Sequence, residues 1–113
     1  MQDEKALALF KETLAKTQLG RIPWEPAVSG DALIAAIKGK FSLVLTREER
    51  NDWIQDTYKL AMKDQSDREI LTVAHNIEGV KQTDLQTLYD TARRQAYRVD
   101  QQVDDLISDL RNL

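Results

Sequence analysis

The chain has 113 residues, a mass of 13.0 kDa and no cysteine, and its 16 basic and 19 acidic side chains leave a net charge of −3. This length fits one domain, residues 1–113, because domains cluster near about 100–150 residues. The lack of cysteine excludes disulfide scaffolds, thiolate metal sites and cysteine nucleophiles. The acidic balance argues against general nucleic-acid binding, which needs a basic surface.

The first 26 residues predict a helix followed by an extended segment. Residues 3–16 are rich in good helix formers, and Leu7, Phe10 and Leu14 form a single apolar stripe. Two prolines in residues 21–26 favour an extended crossing segment, in which Trp24 covers the core.

The middle of the chain predicts a short helix and then a three-stranded antiparallel sheet. Residues 32–37 are predicted to be helical, capped by Ser29 or Asp31 and ended by Gly39. Residues alternate with a period of two in segments 41–46 and 58–62, which is typical of strands, and segment 69–74 has the residue types of a strand. The charged segment 47–52 is predicted to be an exposed loop, and the polar segment 64–67 a hairpin turn.

The last third of the chain predicts one long helix over residues 84–112. Thr83 and Gln86 fit a capping box, and no glycine or proline follows them. Apolar residues then recur in steps of four and three, the heptad seam by which helices pair. The seam comprises Leu85, Tyr89, Ala92, Ala96, Val99, Val103, Leu106, Leu110 and Leu113.

This helix is longer than the sheet that it could cover. It would extend about 40–45 Å, whereas a six-residue strand extends about 20 Å. The distal half therefore needs another apolar surface, either the N-terminal helix or a second copy of the protein. We hypothesise a homodimer, with one intramolecular helix pair as the alternative. The predicted interface consists of Val99, Val103, Leu106, Ile107 and Leu110.

Charged residues and one tryptophan predict an alternative, ligand-binding role. Arg93, Arg94 and Arg98 form a basic belt, which with Trp53 could contact a small ligand or nucleotide. The aspartates that follow at 100, 104, 105 and 109 could pair with the belt of another chain, or could simply form a solvated polar face.

No catalytic motif is present in the sequence. It contains no glycine-rich phosphate loop, no His-Glu-x-x-His and no Gly-x-Ser-x-Gly. The single histidine, His75, is predicted to have a structural role, and Asp100 with Asp104 supplies too few oxygens for a cation. We therefore expect a non-enzymatic protein without metal or cofactor. With neither a signal sequence nor a membrane span in sight, we expect it in the cytoplasm.

Three segments resemble a group of small uncharacterised bacterial α+β domains. They are Ile22-Pro-Trp-Glu25, the hairpin from Tyr58 to Leu71, and Leu88-Tyr-Asp-x-Ala-Arg-Arg94 with the leucine-rich end. The resemblance implies an N-terminal helix, a three-stranded antiparallel sheet and a long C-terminal helix, and it implies no activity. Those domains have glycine where this chain has Asp67, a residue that tolerates the left-handed conformation.

Overall fold

A computed structural model describes residues 2–28, 31–48 and 57–113. They form one antiparallel sheet in the order β1-β2-β3-β4-β5, together with three helices. This confirms the α+β class and the antiparallel sheet, but the sheet has five strands where three were predicted. The elements are α1 (Gln2–Gln18), β1 (Glu25–Pro26), β2 (Ala32–Ile37), β3 (Phe41–Glu48), β4 (Thr57–Lys63), β5 (Glu69–Val73), α2 (Gln82–Ala96) and α3 (Val99–Arg111).

The prediction of a short helix over residues 32–37 is wrong, because this segment is β2. It turns into β3 through Lys38 and Gly39, which have φ of 53° and 70°. The Lys40 N–H donates to the Ile37 carbonyl, so the connection is a type I′ hairpin turn. Both faces of β2 carry apolar residues, and such a short run has no period that separates strand from helix.

The two longest helices cover one face of the sheet. The core joins Phe10 of α1 and four buried residues of α2 to a cross-strand row from β2, β3, β4 and β5. Residues 21–24 lie between α1 and β1, and we call this segment the strap. Its Trp24 is also buried in the core, as predicted. The row consists of Leu33, Leu45, Leu60 and Val73, and the α2 residues are Leu85, Leu88, Tyr89 and Ala92.

The buried stripe of α1 differs from the predicted one. It includes Phe10, Thr13 and Thr17, whereas Leu7 and Leu14 are only partly buried. The burial of the two threonines is possible because their hydroxyl groups are satisfied. Thr13 Oγ1 donates to the Leu9 carbonyl at 2.7 Å, and Thr17 Oγ1 accepts a bond from the indole of the strap.

The predicted hairpin between β4 and β5 is confirmed. Asp64 Oδ1 accepts hydrogen bonds from the N–H groups of Ser66 and Arg68 at 2.9 and 3.0 Å. Asp67 has φ of 64°, so an aspartate occupies the left-handed position that commonly needs glycine. The charged loop predicted at residues 47–52 is wrong at its start, because Arg47 and Glu48 belong to β3; the rest lies outside the described residues.

The prediction of one continuous C-terminal helix is also wrong. The chain leaves α2 at Tyr97, and Arg98 has left-handed dihedral angles of 51° and 46° before α3 begins. The capping box is absent as well, since α2 begins at Gln82 and its N-cap, Lys81, makes no side-chain cap bond. The proximal part of the heptad seam is therefore core, and the distal part belongs to a separate helix.

The third helix extends the molecule. The radius of gyration is 15.7 Å, against about 13 Å for a compact domain of this length. The described chain measures 58 × 40 × 25 Å along its principal axes. Within the described ranges, no helix is long and apolar enough to cross a membrane.

Candidate interaction surface

The distal helix α3 has one apolar face, and the described residues leave that face uncovered. Four of its residues have 40% to 58% of their surface exposed, and no residue of α3 is buried against the described part of the chain. Their spacing of three and four residues places them on one side of the helix. We call Val103, Leu106, Ile107 and Leu110 the apolar face of α3.

The net charge of the protein is carried by the C-terminal residues that contain α3. Residues 1–98 contain 15 basic and 15 acidic side chains, so the charge of −3 comes from residues 99–113. Around the helix, Asp100 lies nearest to the apolar face, Asp104 and Asp109 lie further round on either side of it, and Asp105 lies on the far side. The apolar face of α3 is therefore bordered by carboxylates.

A second apolar surface lies between α1 and the β2–β3 hairpin. It is a pocket of about 420 Å³, and its surface is formed almost entirely by apolar atoms. Phe41 at its edge is 41% exposed, whereas Leu43 at its base is buried. We call it the α1–hairpin pocket; its apolar lining includes Leu9, Ile22, Ile37, Phe41, Leu43 and Met62.

The rim of the α1–hairpin pocket is basic. Lys16 of α1, Arg21 of the strap and Lys38 of the hairpin turn line it, with Glu12 as the one carboxylate among the lining residues. All four side chains are exposed. None of the three cations forms an ion pair with another residue that the structure describes. The pocket thus combines an apolar base with a positive edge, the reverse of the charge bordering α3.

The three arginines of the predicted basic belt do not converge on one empty site. The Arg94 guanidinium lies 2.6 Å from Asp100 Oδ1, and the Arg93 guanidinium lies 5.3 Å from the centre of the Tyr97 ring. Arg94 and Arg98 line a second pocket, of about 370 Å³, whose lining also includes Asp100. Two of the three positive charges are therefore engaged within the chain itself.

The remaining candidate residues form no chemical site in the described chain. Trp53 lies outside the described residues. Trp24 is buried, with its Nε1 donating to Thr17 Oγ1 at 3.0 Å, and His75 is exposed. Across residues 2–28, 31–48 and 57–113, no group of three or more histidines and carboxylates could hold a metal ion.

One tyrosine of the core has a perturbed titration. Tyr89 is almost fully buried and its hydroxyl donates to the Asp31 carbonyl at 2.9 Å. Burial raises the pKa of Tyr89 above its ordinary value of 10.0, and the Asp31 carboxylate raises the pKa further. The bond joins α2 to the start of β2, which is a structural role.

The α1–hairpin pocket was not predicted from the sequence. Its residues come from α1, the strap and three strands, and the misassignment of β2 as a helix hid the hairpin that forms one wall. The available signal was the segment Lys38-Gly-Lys40 before Phe41, since glycine between short apolar runs marks a hairpin turn.

Comparison with known proteins adds no relative. The chain matches no protein-family model, no curated protein and no solved structure.

Proposed function

We propose that this protein is a non-enzymatic interaction module that associates with a second copy of itself through the apolar face of α3. The observation that supports this most strongly is the exposure of four large apolar residues on a helix that buries none of its residues in the described chain. Apolar surface of this kind, rimmed by polar residues, marks protein interaction sites.

A second copy is the favoured partner because the chain itself contains a complementary surface. The α1–hairpin pocket is apolar and has a basic rim, whereas the apolar face of α3 has an acidic border. One chain therefore carries two apolar surfaces that are surrounded by opposite charges, so two copies of it can bind each other without another protein.

The magnitudes favour a contact that uses both helices of a dimer. Full burial of a leucine, isoleucine or valine side chain contributes about 1.5–3 kcal/mol. Covering the exposed half of four such residues gives about 3–6 kcal/mol per helix, and two helices give about 6–12 kcal/mol. Association costs about 4–15 kcal/mol in lost freedom, so a contact with one helix is marginal and a contact with two helices is favoured over it.

The alternative of a small-ligand or nucleotide-binding regulator draws less support. It relies on Trp53, Arg93 and Arg94, and the Arg94 guanidinium already pairs with Asp100. An anionic ligand would have to displace that carboxylate. Titrating the intrinsic tryptophan fluorescence with a nucleotide panel tests this alternative, and we expect no response.

A double substitution on α3 tests the proposed self-association. V103D/L106D places two carboxylates on the apolar face, and burying an unpaired charge costs several kcal/mol. We expect a folded monomer with dimerisation weakened about a hundredfold or more, measured by sedimentation equilibrium. Q101D/S108D is the matched control, because it adds the same charge to the opposite side of α3 and should leave the dimer intact.

Two results would contradict the proposal. Global unfolding of V103D/L106D, seen in its circular dichroism spectrum, would show that these residues belong to the core of the chain. Equal weakening by V103D/L106D and Q101D/S108D would show that net charge, and not the apolar face, controls association.

A further inference from the structure

We infer that the α1–hairpin pocket of one copy is the acceptor for the apolar face of α3 from a second copy, an inference that rests on the proposed self-association. The pocket and the helix are two uncovered apolar features that the described chain presents.

Charge complementarity is the first argument for this pairing. The pocket rim presents Lys16, Arg21 and Lys38 against one carboxylate, Glu12. The helix carries four aspartates and one arginine, Arg111; Asp100 already pairs with Arg94 of its own chain, so the other three aspartates are the ones available to a partner. Opposite charges around two apolar contacts steer the encounter and fix its orientation.

The same charges disfavour the simplest alternative, in which α3 pairs with α3 of the second copy. That arrangement brings two helices of formal charge −3 together and leaves both basic-rimmed pockets uncovered. Like charges across a contact oppose association. Docking of α3 in the pocket instead covers both apolar surfaces and pairs their charges.

Symmetry provides the third argument. When two different surfaces of one protein bind each other, the copies form either an open filament or a closed assembly. The assembly closes with two copies when each α3 docks on the other copy. The helix is about 20 Å long, so one contact is small. A reciprocal exchange doubles the buried area within one closed dimer. In that dimer, the α3 helix of each copy lies in the pocket of the other copy.

Reversing the charge of the pocket rim is the decisive experiment. In K16E/R21E/K38E all three substituted side chains are exposed, so the fold should persist while the acidic helix is repelled. We expect the dissociation constant of the dimer to rise at least about tenfold. K5E/K59E/K81E is the matched control, because it makes the same change of net charge at exposed lysines outside the pocket and should dimerise as the wild type does.

Mixing two variants distinguishes the inference from the proposed function. K16E/R21E/K38E keeps a wild-type α3, and V103D/L106D keeps a wild-type pocket. We expect each variant alone to associate more weakly than the wild type, and their mixture to associate more strongly than either variant alone but more weakly than the wild type, because only one helix–pocket contact remains intact. A pocket variant that remains dimeric while V103D/L106D is monomeric would overturn the inference and leave self-association through α3 intact. A wild-type monomer would overturn both.

Salt provides an independent readout of the same contact. Screening weakens attraction between opposite charges and relieves repulsion between like charges. We therefore expect the wild-type dimer to weaken as sodium chloride is raised. A dimer that tightens with salt would indicate α3–α3 pairing. If the triple variant fails to fold, Arg21→Glu alone gives the same test, and an unchanged dissociation constant would overturn the inference.

Discussion

At the scale of single residues, Trp24 connects the strap to the end of α1. Its indole Nε1 donates to Thr17 Oγ1, and both side chains are buried. We expect W24F and T17V each to lower the free energy of unfolding by about 1–3 kcal/mol, because each leaves a buried polar partner unsatisfied or a void. Urea denaturation of both single variants and the double variant measures this. Strictly additive losses would show that the bond contributes nothing.

The raised pKa of Tyr89 predicts a dependence of stability on alkaline pH. Because the folded-state pKa lies above the unfolded value near 10.0, the folded protein retains a proton that the unfolded chain loses. This contribution to stability is complete below pH 10 and is lost as the pH rises through the folded-state pKa. We expect Y89F to remove that part of the alkaline decline, measured by urea denaturation between pH 8 and pH 11. Parallel pH profiles for Y89F and wild type would contradict the assignment.

Gly79 is required by both its backbone and its surroundings. It has φ of +87°, and a Cβ at this position would lie 3.0 Å from Leu7 Cδ2. Gly39 has φ of +70° but no atom within 4 Å of such a Cβ, so it reports the conformational cost alone. We expect G79A to lower the unfolding free energy more than G39A, which should cost about 1–2 kcal/mol. Equal losses in thermal or urea unfolding would show that Leu7 moves away without cost.

At the scale of elements, the sequence predicted α1, β3, β4 and β5 because each has either a clear period or clear turn chemistry. The turn of residues 64–67 is an example, since Asp64 accepts the backbone bonds that its residue type favours. The assignment of β2 failed because its outward face includes Ile34, so alternation is invisible. Only pairing with β3 determines that residues 32–37 form a strand, and pairing is a long-range property.

The division of the C-terminal helix could not be predicted from local signals. Arg98 is neither glycine nor proline, and arginine is a good helix former. Just before the break, Gln95 Nε2 donates to the Thr17 carbonyl of α1 at 2.6 Å. Beyond the break, α3 packs mainly against α2 and makes no extensive contact with a strand of the described sheet.

Substitutions of Arg98 by glycine and by alanine test whether the helix is broken between α2 and α3, because the two residues favour different backbone conformations. A left-handed residue favours glycine, whereas a residue inside a continuous helix favours alanine over glycine by about 1 kcal/mol. We therefore expect R98G to give a helical signal at 222 nm in circular dichroism at least as large as that of the wild type, and R98A to give no more than the wild type, because alanine and arginine both carry the Cβ that disfavours the left-handed conformation. A higher helical signal in R98A than in R98G would indicate one unbroken helix through residues 82–111.

At the scale of the whole molecule, the sequence indicated one half of the candidate interface. The apolar residues of α3 follow one another in a single periodic segment, so their common face could be predicted before the fold was known. The α1–hairpin pocket combines residues as distant as Leu9 and Met62, and only the folded chain brings them together. The assignment of Val99, Val103, Leu106, Ile107 and Leu110 to a dimer interface stays a prediction.

The central claim is that a second copy covers the apolar face of α3. Light scattering after size exclusion, over about a hundredfold range of protein concentration, tests it most directly. We predict a stable mass of twice 13.0 kDa, with dissociation only at the lowest concentrations. A mass that grows without limit would contradict a closed exchange of helices. A mass of 13.0 kDa throughout would contradict self-association itself.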